Sequence, residues 1–94
     1  MDVPRLKTAD WLNTWVEEYI GNVKPATRKS YQDHVRLNII PYIGAVPLSK
    51  LTAAMIQQTY NELQTDKGLS PKTIKNVHGV LHRAVEQAQK MGYI

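Results

Sequence analysis

The chain has 94 residues, a formal net charge of +4 at pH 7 and a pI near 9.5. A hydrophobic content of 43% is enough for one small core, and the length suits one domain. The absence of cysteine excludes disulfides and thiolate metal sites. The N-terminus has no apolar signal-peptide core, and no apolar run is long enough to span a membrane. These features favour a soluble, cytoplasmic protein, and the basic charge permits an acidic partner such as nucleic acid.

Residues 1 to 7 are expected to form a flexible segment, followed by a first helix with Thr8 as its N-cap. Gly21 and Asn22 supply the stop signals for this helix. Apolar residues between these signals recur at helical spacing and define one inner face. They are Trp11, Leu12, Trp15, Val16, Tyr19 and Ile20.

A second helix is predicted to begin at Pro25, a residue favoured in the first turn, and to end at Pro41. Its inner stripe comprises Tyr31, Val35 and Ile39. The stretch that follows, "PYIGAVPLSKLT", is rich in proline and glycine and predicts a turn-rich connector without helix.

Two more helices are predicted in the second half of the chain. Thr52 is a candidate N-cap for the third, and Ser70 followed by Pro71 is a strong start signal for the fourth. Gly68 and Gly92 mark their ends. The buried side of the third comprises Met55, Ile56, Thr59, Tyr60 and Leu63, and that of the fourth comprises Ile74, Val77, Leu81, Ala84, Val85 and Ala88. No segment predicts a strand, so the expected fold class is all-α, a compact four-helix bundle over residues 8–94.

The fourth helix has a basic face opposite its apolar stripe, and this face contains no acidic residue. Its members are Lys72, Lys75, Asn76, Gly79 and Arg83. Lysine and arginine neutralise phosphates, whereas asparagine and arginine can also bind base edges in the major groove. Thr73 lies at the helix start, where backbone N–H groups can hold a phosphate. The face predicts contact with duplex DNA, and an ordinary solvated helix face is the alternative.

Gly79 is unusual on this face, because a mid-helix glycine costs about 1 kcal/mol relative to alanine. A bare helix surface would let a phosphate backbone or another helix approach closely. The other hypothesis is that the glycine is merely tolerated, and the sequence leaves both open.

The second helix carries a similar outward stripe, which comprises Lys29, Gln32, Asp33 and Arg36. Arg28 lies nearer the apolar side but close to the helix start, where it can swing outward. The first helix instead presents acidic residues, namely Asp10, Glu17 and Glu18. Positive charge is therefore concentrated on the second and fourth helices.

The sequence predicts neither a metal site nor a cofactor site. His78 and His82 have i, i+4 spacing, but a zinc site needs a third ligand, and glycine follows His78 where an H-E-x-x-H motif has glutamate. No Ser-His-Asp grouping, glycine-rich phosphate loop or well-oriented carboxylate pair is present. We therefore expect no catalytic residue in this chain.

Three blocks of the sequence together resemble the N-terminal core-binding domain of tyrosine recombinases, the phage-type integrases, which is a SAM-like helical domain. The blocks are "TADWLNTWVEEY", "TRKSYQDHVRLNIIPYIGAVPLSKLTAAMIQQTYNEL" and "GLSPKTIKNVHGVLHRAVEQAQKMGYI". The middle block is the most specific, because it orders an Ile40-Pro41-Tyr42-Ile43-Gly44 turn before Pro47-Leu48 and Leu51-Thr52.

The resemblance implies a domain that grips duplex DNA at a recombination core site, with the second and fourth helices facing the DNA. The first-choice contacts are Lys72, Thr73, Lys75, Asn76 and Arg83, and the second-choice contacts are Arg28, Lys29, Gln32 and Arg36. The resemblance also implies that strand cleavage belongs to a separate catalytic domain with a tyrosine nucleophile. This chain would then be a fragment of a bacterial or phage-encoded recombinase, and its partners would be DNA, that catalytic domain and neighbouring protomers.

The alternative is a helical protein-interaction module that mediates recombinase assembly. The acidic surface of the first helix and its early tryptophan pair, Trp11 and Trp15, would serve that contact.

Overall fold

A computed structural model describes residues 6–21 and 23–94 and contains four helices. They are α1, Thr8–Glu18; α2, which runs unbroken through Pro25–Asp33, a π-helical segment His34–Ile39 and Ile40–Ile43; α3, Ala53–Thr65; and α4, Pro71–Lys90. A short 3-10 turn, Leu48–Lys50, lies between α2 and α3. Extended pairing in the two described ranges is limited to an isolated antiparallel bridge between Lys7 and Pro47. The predicted all-α, four-helix fold is confirmed.

One apolar core joins the helices, and α1 links α2 to α4 through it. The buried apolar side chains are Trp11, Leu12, Trp15, Val16, Val35, Ile39, Ile43, Leu48, Leu63, Val77, Val80, Leu81, Ala84 and Ala88. The ring of Trp15 stacks on that of Tyr31 at a centroid distance of 5.8 Å. The indole N–H of Trp11 donates to the carbonyl of Ala84 over 2.8 Å. Because α4 also packs against the π-helical segment of α2, the two basic helices are neighbours.

The caps of α3 and α4 are those that the sequence predicts. Thr52 accepts a hydrogen bond from the N–H of Met55, and Ser70 accepts one from the N–H of Thr73, each over 3.2 Å. Gly68 follows α3 in the left-handed region, with φ of 65°, where a glycine is favoured.

The prediction that Thr8 caps α1 is wrong. Lys7 occupies the N-cap position, and Thr8 is the first helical residue. The Thr8 hydroxyl donates to the carbonyl of Val46 over 2.8 Å instead. This buried side chain therefore ties the start of α1 to the connector, a long-range contact that local capping rules do not consider.

The prediction that Pro41 ends the second helix is also wrong. In the π-helical segment the N–H of Ile40 donates to the carbonyl of Val35, five residues back. Pro41 then lies in the first turn of the last α-helical part, and the carbonyl of Leu37, which lacks an α-helical donor at this position, accepts a hydrogen bond from the Lys67 ammonium instead. The helix consequently extends to Ile43 and shortens the connector predicted from the proline content.

The inner face of α3 is narrower than predicted. Leu63 and Thr59 are buried and Ile56 is half-buried, whereas Met55 is 39% exposed, so its predicted burial is wrong. The inward positions are spaced three and four residues apart, which puts Met55 about 100° away from Ile56 around the helix. On α4, Val80 is buried in addition to the predicted set.

The predicted flexible segment, 1 to 7, falls mostly outside the described residues. Its last two residues are described, and the carbonyl of Leu6 accepts a hydrogen bond from the N–H of Leu48 over 2.8 Å.

Candidate nucleic-acid interface

A groove of about 440 Å³ runs between α2 and α4, and none of the acidic side chains in the described ranges lines it. Its lining residues are Ser30, Tyr31, His34, Lys75, Asn76, Gly79, Val80 and Arg83. We call this surface the α2–α4 groove. The cations come from α4, and α2 supplies the hydroxyl and imidazole groups of the opposite wall. A polyanion lying in the groove would meet positive charge and hydrogen-bond donors.

Three of the first-choice contacts, Lys75, Asn76 and Arg83, lie together in the α2–α4 groove. They share it because their spacing along α4 places them on one helical face, with the buried Val77 and Leu81 on the other. Lys72 lies one turn before Lys75 and is exposed.

The N-terminus of α4 has fewer unbonded backbone N–H groups than a bare helix start. Pro71 has none, the N–H of Thr73 donates to the Ser70 hydroxyl, and the N–H of Ile74 donates to the Ser70 carbonyl over 3.0 Å. The Thr73 hydroxyl also lies 3.1 Å from that of Ser70. Among these first positions of α4, the N–H of Lys72 is therefore the one left for an anion.

The stripe on α2 is partly neutralised by its own acidic residue. Asp33 lies 3.5 Å from the ammonium of Lys29 and 3.2 Å from the guanidinium of Arg36. The lysine and arginine side chains are 75% and 68% exposed, and such surface pairs are worth only about 0 to 1 kcal/mol. Lys29 also lines a shallow hollow of about 390 Å³ beside the groove, whereas Gln32 and Arg36 are exposed on α2 outside the groove.

Arg28 does not face the groove. Its guanidinium donates to the carbonyl of Val16 over 2.9 Å and to that of Gly21 over 3.2 Å. The last turn of α1 contains no basic residue of its own, so Arg28 supplies positive charge and donors to the carbonyl end of α1. The structure thus separates Arg28 from the other second-choice contacts.

Gly79 lies in the α2–α4 groove with open space above its backbone. A Cβ built at this position meets no heavy atom within 4 Å. The close approach of another described segment is therefore not the reason for the glycine. Approach of an external partner, or simple tolerance, is left to explain it.

Three groove residues on α2 were absent from the predicted contacts, namely Tyr31, which was assigned to the inner stripe, and Ser30 and His34. Ser30 and His34 line the α2–α4 groove from the side opposite Lys75. Their i, i+4 spacing beside the inner stripe of α2 places both on one edge of the helix, and this spacing is visible in the sequence. Which part of the molecule this edge faces depends on how α2 packs against α4, and helical spacing alone does not predict that packing.

A second groove, of about 420 Å³, lies between α3 and α4 and is neutral apart from Lys75 at its margin. Its lining residues are Gln57, Tyr60, Asn61, Gln64, Pro71, Ile74, Lys75 and His78. The hydroxyl of Tyr60 lies 2.9 Å from Nδ1 of His78, and burial raises the pKa of Tyr60 to about 12. Lys75 therefore stands on a ridge between a basic groove and a carboxamide-lined one.

The described residues contain no group of three or more histidine and acidic side chains arranged to hold a metal ion. The rings of His78 and His82 stack at a centroid distance of 5.9 Å. No described helix combines the length and the hydropathy that crossing a bilayer requires.

The tryptophan pair of α1 belongs to the core. Trp11 and Trp15 are 1% and 3% exposed, so neither ring is available to a partner. This burial removes the aromatic part of the predicted protein-interaction surface and leaves only the exposed acidic residues Asp10, Glu17 and Glu18.

Comparison with protein families gives one finding that agrees with this helical architecture. A family model described as "Phage integrase, N-terminal SAM-like domain" matches residues 9–64, which cover all of α2 and nearly all of α1 and α3. No curated protein and no solved structure gives a significant match. The matched segment is more than half of the chain. The chain therefore belongs to the family of phage integrase N-terminal SAM-like domains.

Proposed function

We propose that residues 8–94 form a core-binding domain that grips duplex DNA at the core site of a tyrosine recombinase through α2 and α4. The observation that carries this proposal is the α2–α4 groove, in which Lys75, Asn76 and Arg83 face Ser30 and His34 with no carboxylate among the lining residues that the structure describes. Family membership supports the proposal, since the domain comes from an enzyme class that acts on DNA.

The contacts divide by their chemistry. Lys72, Lys75 and Arg83 would neutralise phosphates, which positions the domain on the duplex without reading its sequence. Asn76 lies in the same groove and has the donor and acceptor pair that binds adenine in the major groove. Thr73 would contact a phosphate at the helix start through its hydroxyl.

On α2, Lys29, Gln32 and Arg36 form the second contact set of the proposal. Asp33 must give up its two ion pairs, or share them with phosphate, before these cations act on DNA. We assign Arg28 to the fold, because its hydrogen bonds hold the last turn of α1, through Val16, and the link that follows it, through Gly21.

The chemistry of strand cleavage would lie in a catalytic domain of the same recombinase, with its own tyrosine nucleophile. Other partners would be neighbouring protomers on the recombination site. The working environment would be the cytoplasm of a bacterium, where the DNA substrate is present.

The proposal is tested by measuring duplex affinity across a series of salt concentrations. Each phosphate contact contributes about 0.9 to the slope of log K against log salt, so replacing both Lys72 and Lys75 by glutamine should reduce the slope by about 2. Replacing Lys50 and Lys90, two exposed lysines outside the α2–α4 groove, is the control, because it changes the net charge equally. Equal slopes for the two double variants would exclude α4 from the interface.

Two measurements distinguish DNA binding from the rival function, which is protein interaction without DNA. A gel shift on random duplex reports the DNA contact, and sedimentation of the free domain reports self-association. Self-association with no gel shift would favour the rival, for which the exposed acidic residues of α1 are the remaining support.

A further inference from the structure

Asn38 is a polar side chain in the core whose hydrogen bonds fix the orientation of its amide. It is 8% exposed, its Oδ1 lies 3.2 Å from Nζ of Lys67, and its Nδ2 lies 3.2 Å from Nδ1 of His34. A lysine ammonium can only donate hydrogen bonds, so the atom facing it must be the amide oxygen. The amide nitrogen therefore faces His34.

This orientation decides which nitrogen of His34 carries the proton. The Nδ2 group of Asn38 is a donor, so Nδ1 of His34 must accept and cannot carry hydrogen itself. A neutral ring then bears its hydrogen on Nε2, which becomes a donor. The ring lines both the α2–α4 groove and the adjoining hollow next to Lys29.

Lys67 is held at this position by features of α2 itself. Pro41 has no N–H, so the carbonyl of Leu37, four residues earlier, lacks its usual α-helical donor. The Lys67 ammonium donates to that carbonyl, and it also lies 5.8 Å from the centre of the Tyr42 ring. Three contacts thus anchor a side chain that comes from the α3–α4 connector.

We propose that Lys67 and Asn38 hold His34 as its Nε2–H tautomer in the α2–α4 groove, so that His34 offers one uncharged hydrogen-bond donor to bound DNA. The DNA part rests on the proposed function. Phosphate oxygens and the acceptor atoms of guanine and thymine edges are the groups that such a donor can bind. His34 and Asn38 both lie in the π-helical segment, a distortion often found at functional sites.

The tautomer is tested in the free protein by ¹⁵N NMR of the histidine rings at mildly alkaline pH, where an ordinary histidine is neutral. His34 should show hydrogen on Nε2, with His78 and His82 as internal references. Asn38→Asp has nearly the same shape but presents only acceptors, so Nδ1 of His34 should become protonated. Hydrogen on Nδ1 of His34 in the unmodified protein, or a His34 spectrum in N38D identical to that of the unmodified protein, would contradict the proposal that Asn38 fixes the tautomer.

Lys67→Met provides a second variant in case N38D folds poorly. Without the ammonium, the Asn38 amide is free to rotate, and the His34 signals should move toward a mixture of the two tautomers. A His34 spectrum unchanged in K67M would show that Lys67 does not position the ring.

The DNA part is tested with His34→Ala, with His82→Ala as the control on the same protein. Loss of one uncharged hydrogen bond should weaken duplex binding roughly 3- to 10-fold. The salt slope should stay unchanged, because an uncharged donor releases no counterion. Unchanged affinity in H34A would overturn the His34 contact, whatever the Lys72 and Lys75 double variant shows. An unchanged salt slope in that double variant alone would count against the proposed function and would leave the tautomer result standing.

Discussion

On α2, Lys29 and Arg36 both reach the carboxylate of Asp33, whereas Lys72, Lys75 and Arg83 on α4 form no ion pair within the described residues. Both stripes repeat basic and amide side chains at helical spacing, but only the α2 stripe contains an acidic residue, which lies three or four residues from each of the two cations. The comparison teaches that the usefulness of a cation depends on its neighbours in the fold. A cation already paired with a carboxylate gains less from a phosphate than one whose only competitor is water.

The largest expected effect comes from comparing Arg83→Gln with Arg36→Gln. Arg83 lies in the α2–α4 groove, so its loss should lower the salt slope of duplex binding by about 1 and weaken affinity. Arg36 is 68% exposed and paired with Asp33, so its loss should change the slope by less than half as much, about 0.5 or below. Equal slopes for R83Q and R36Q would contradict the distinction between the stripes.

The next effect is a gain of binding on removal of Asp33. Asp33→Asn frees Lys29 and Arg36 and removes one negative charge, so duplex binding should tighten and the salt slope should steepen by about 1. The free energy of unfolding should change by less than about 0.5 kcal/mol, because both ion pairs are exposed. Asp66→Asn in the α3–α4 connector is the control, since it makes the same change in charge outside the groove. Equal tightening in D66N would mean that net charge alone is responsible.

A smaller effect on binding is expected from Gly79→Ala, which separates the two explanations for this glycine. The added methyl meets no atom of the described residues beyond its own helix, so the variant should be more stable to urea by about 0.5 to 1 kcal/mol. The methyl projects into the groove, so duplex affinity should fall while the salt slope stays constant. Gln89→Ala, on the exposed last turn of α4, controls for helix propensity. Higher stability with unchanged affinity would show that the glycine is only tolerated.

The smallest effect on DNA contacts is expected at Arg28, although its effect on stability is larger. Arg28→Met removes two charge-assisted hydrogen bonds to the end of α1 and should lower the free energy of unfolding by roughly 1.5 to 3 kcal/mol. The salt slope measured below the unfolding range should match that of the unmodified protein. Arg28→Lys should be intermediate in stability, because lysine cannot reach both carbonyls with one planar group. A slope reduced by about 1 in R28M, with stability unchanged, would return Arg28 to the DNA contacts.

Much of the fold could be predicted because helical periodicity is a local property. Trp11, Trp15, Val35 and Leu81 face the core as their spacing indicates, and Ser70 caps α4 as expected. Lys75, Asn76 and Arg83 share one face of α4 for the same reason, because an uninterrupted helix keeps its faces in order.

The two wrong helix boundaries have different causes. Thr8 bonds to Val46 instead of capping α1, and α2 continues past Pro41 because a π-helical turn shifts the register of its hydrogen bonds. Arg28 turns toward α1, a direction that depends on the packing of two helices. The capping, proline and spacing rules used on the sequence do not predict these contacts.

The sequence by itself determined the number of helices, their apolar faces and the concentration of cations on α2 and α4, since these follow from residue type and helical spacing. Only the tertiary structure decided that Arg28 supports α1 and that Ser30 and His34 face Lys75 across a groove. The physical reason is that hydrogen bonds and charge interactions depend on distances of a few ångströms. Packing brings residues from separate helices to those distances.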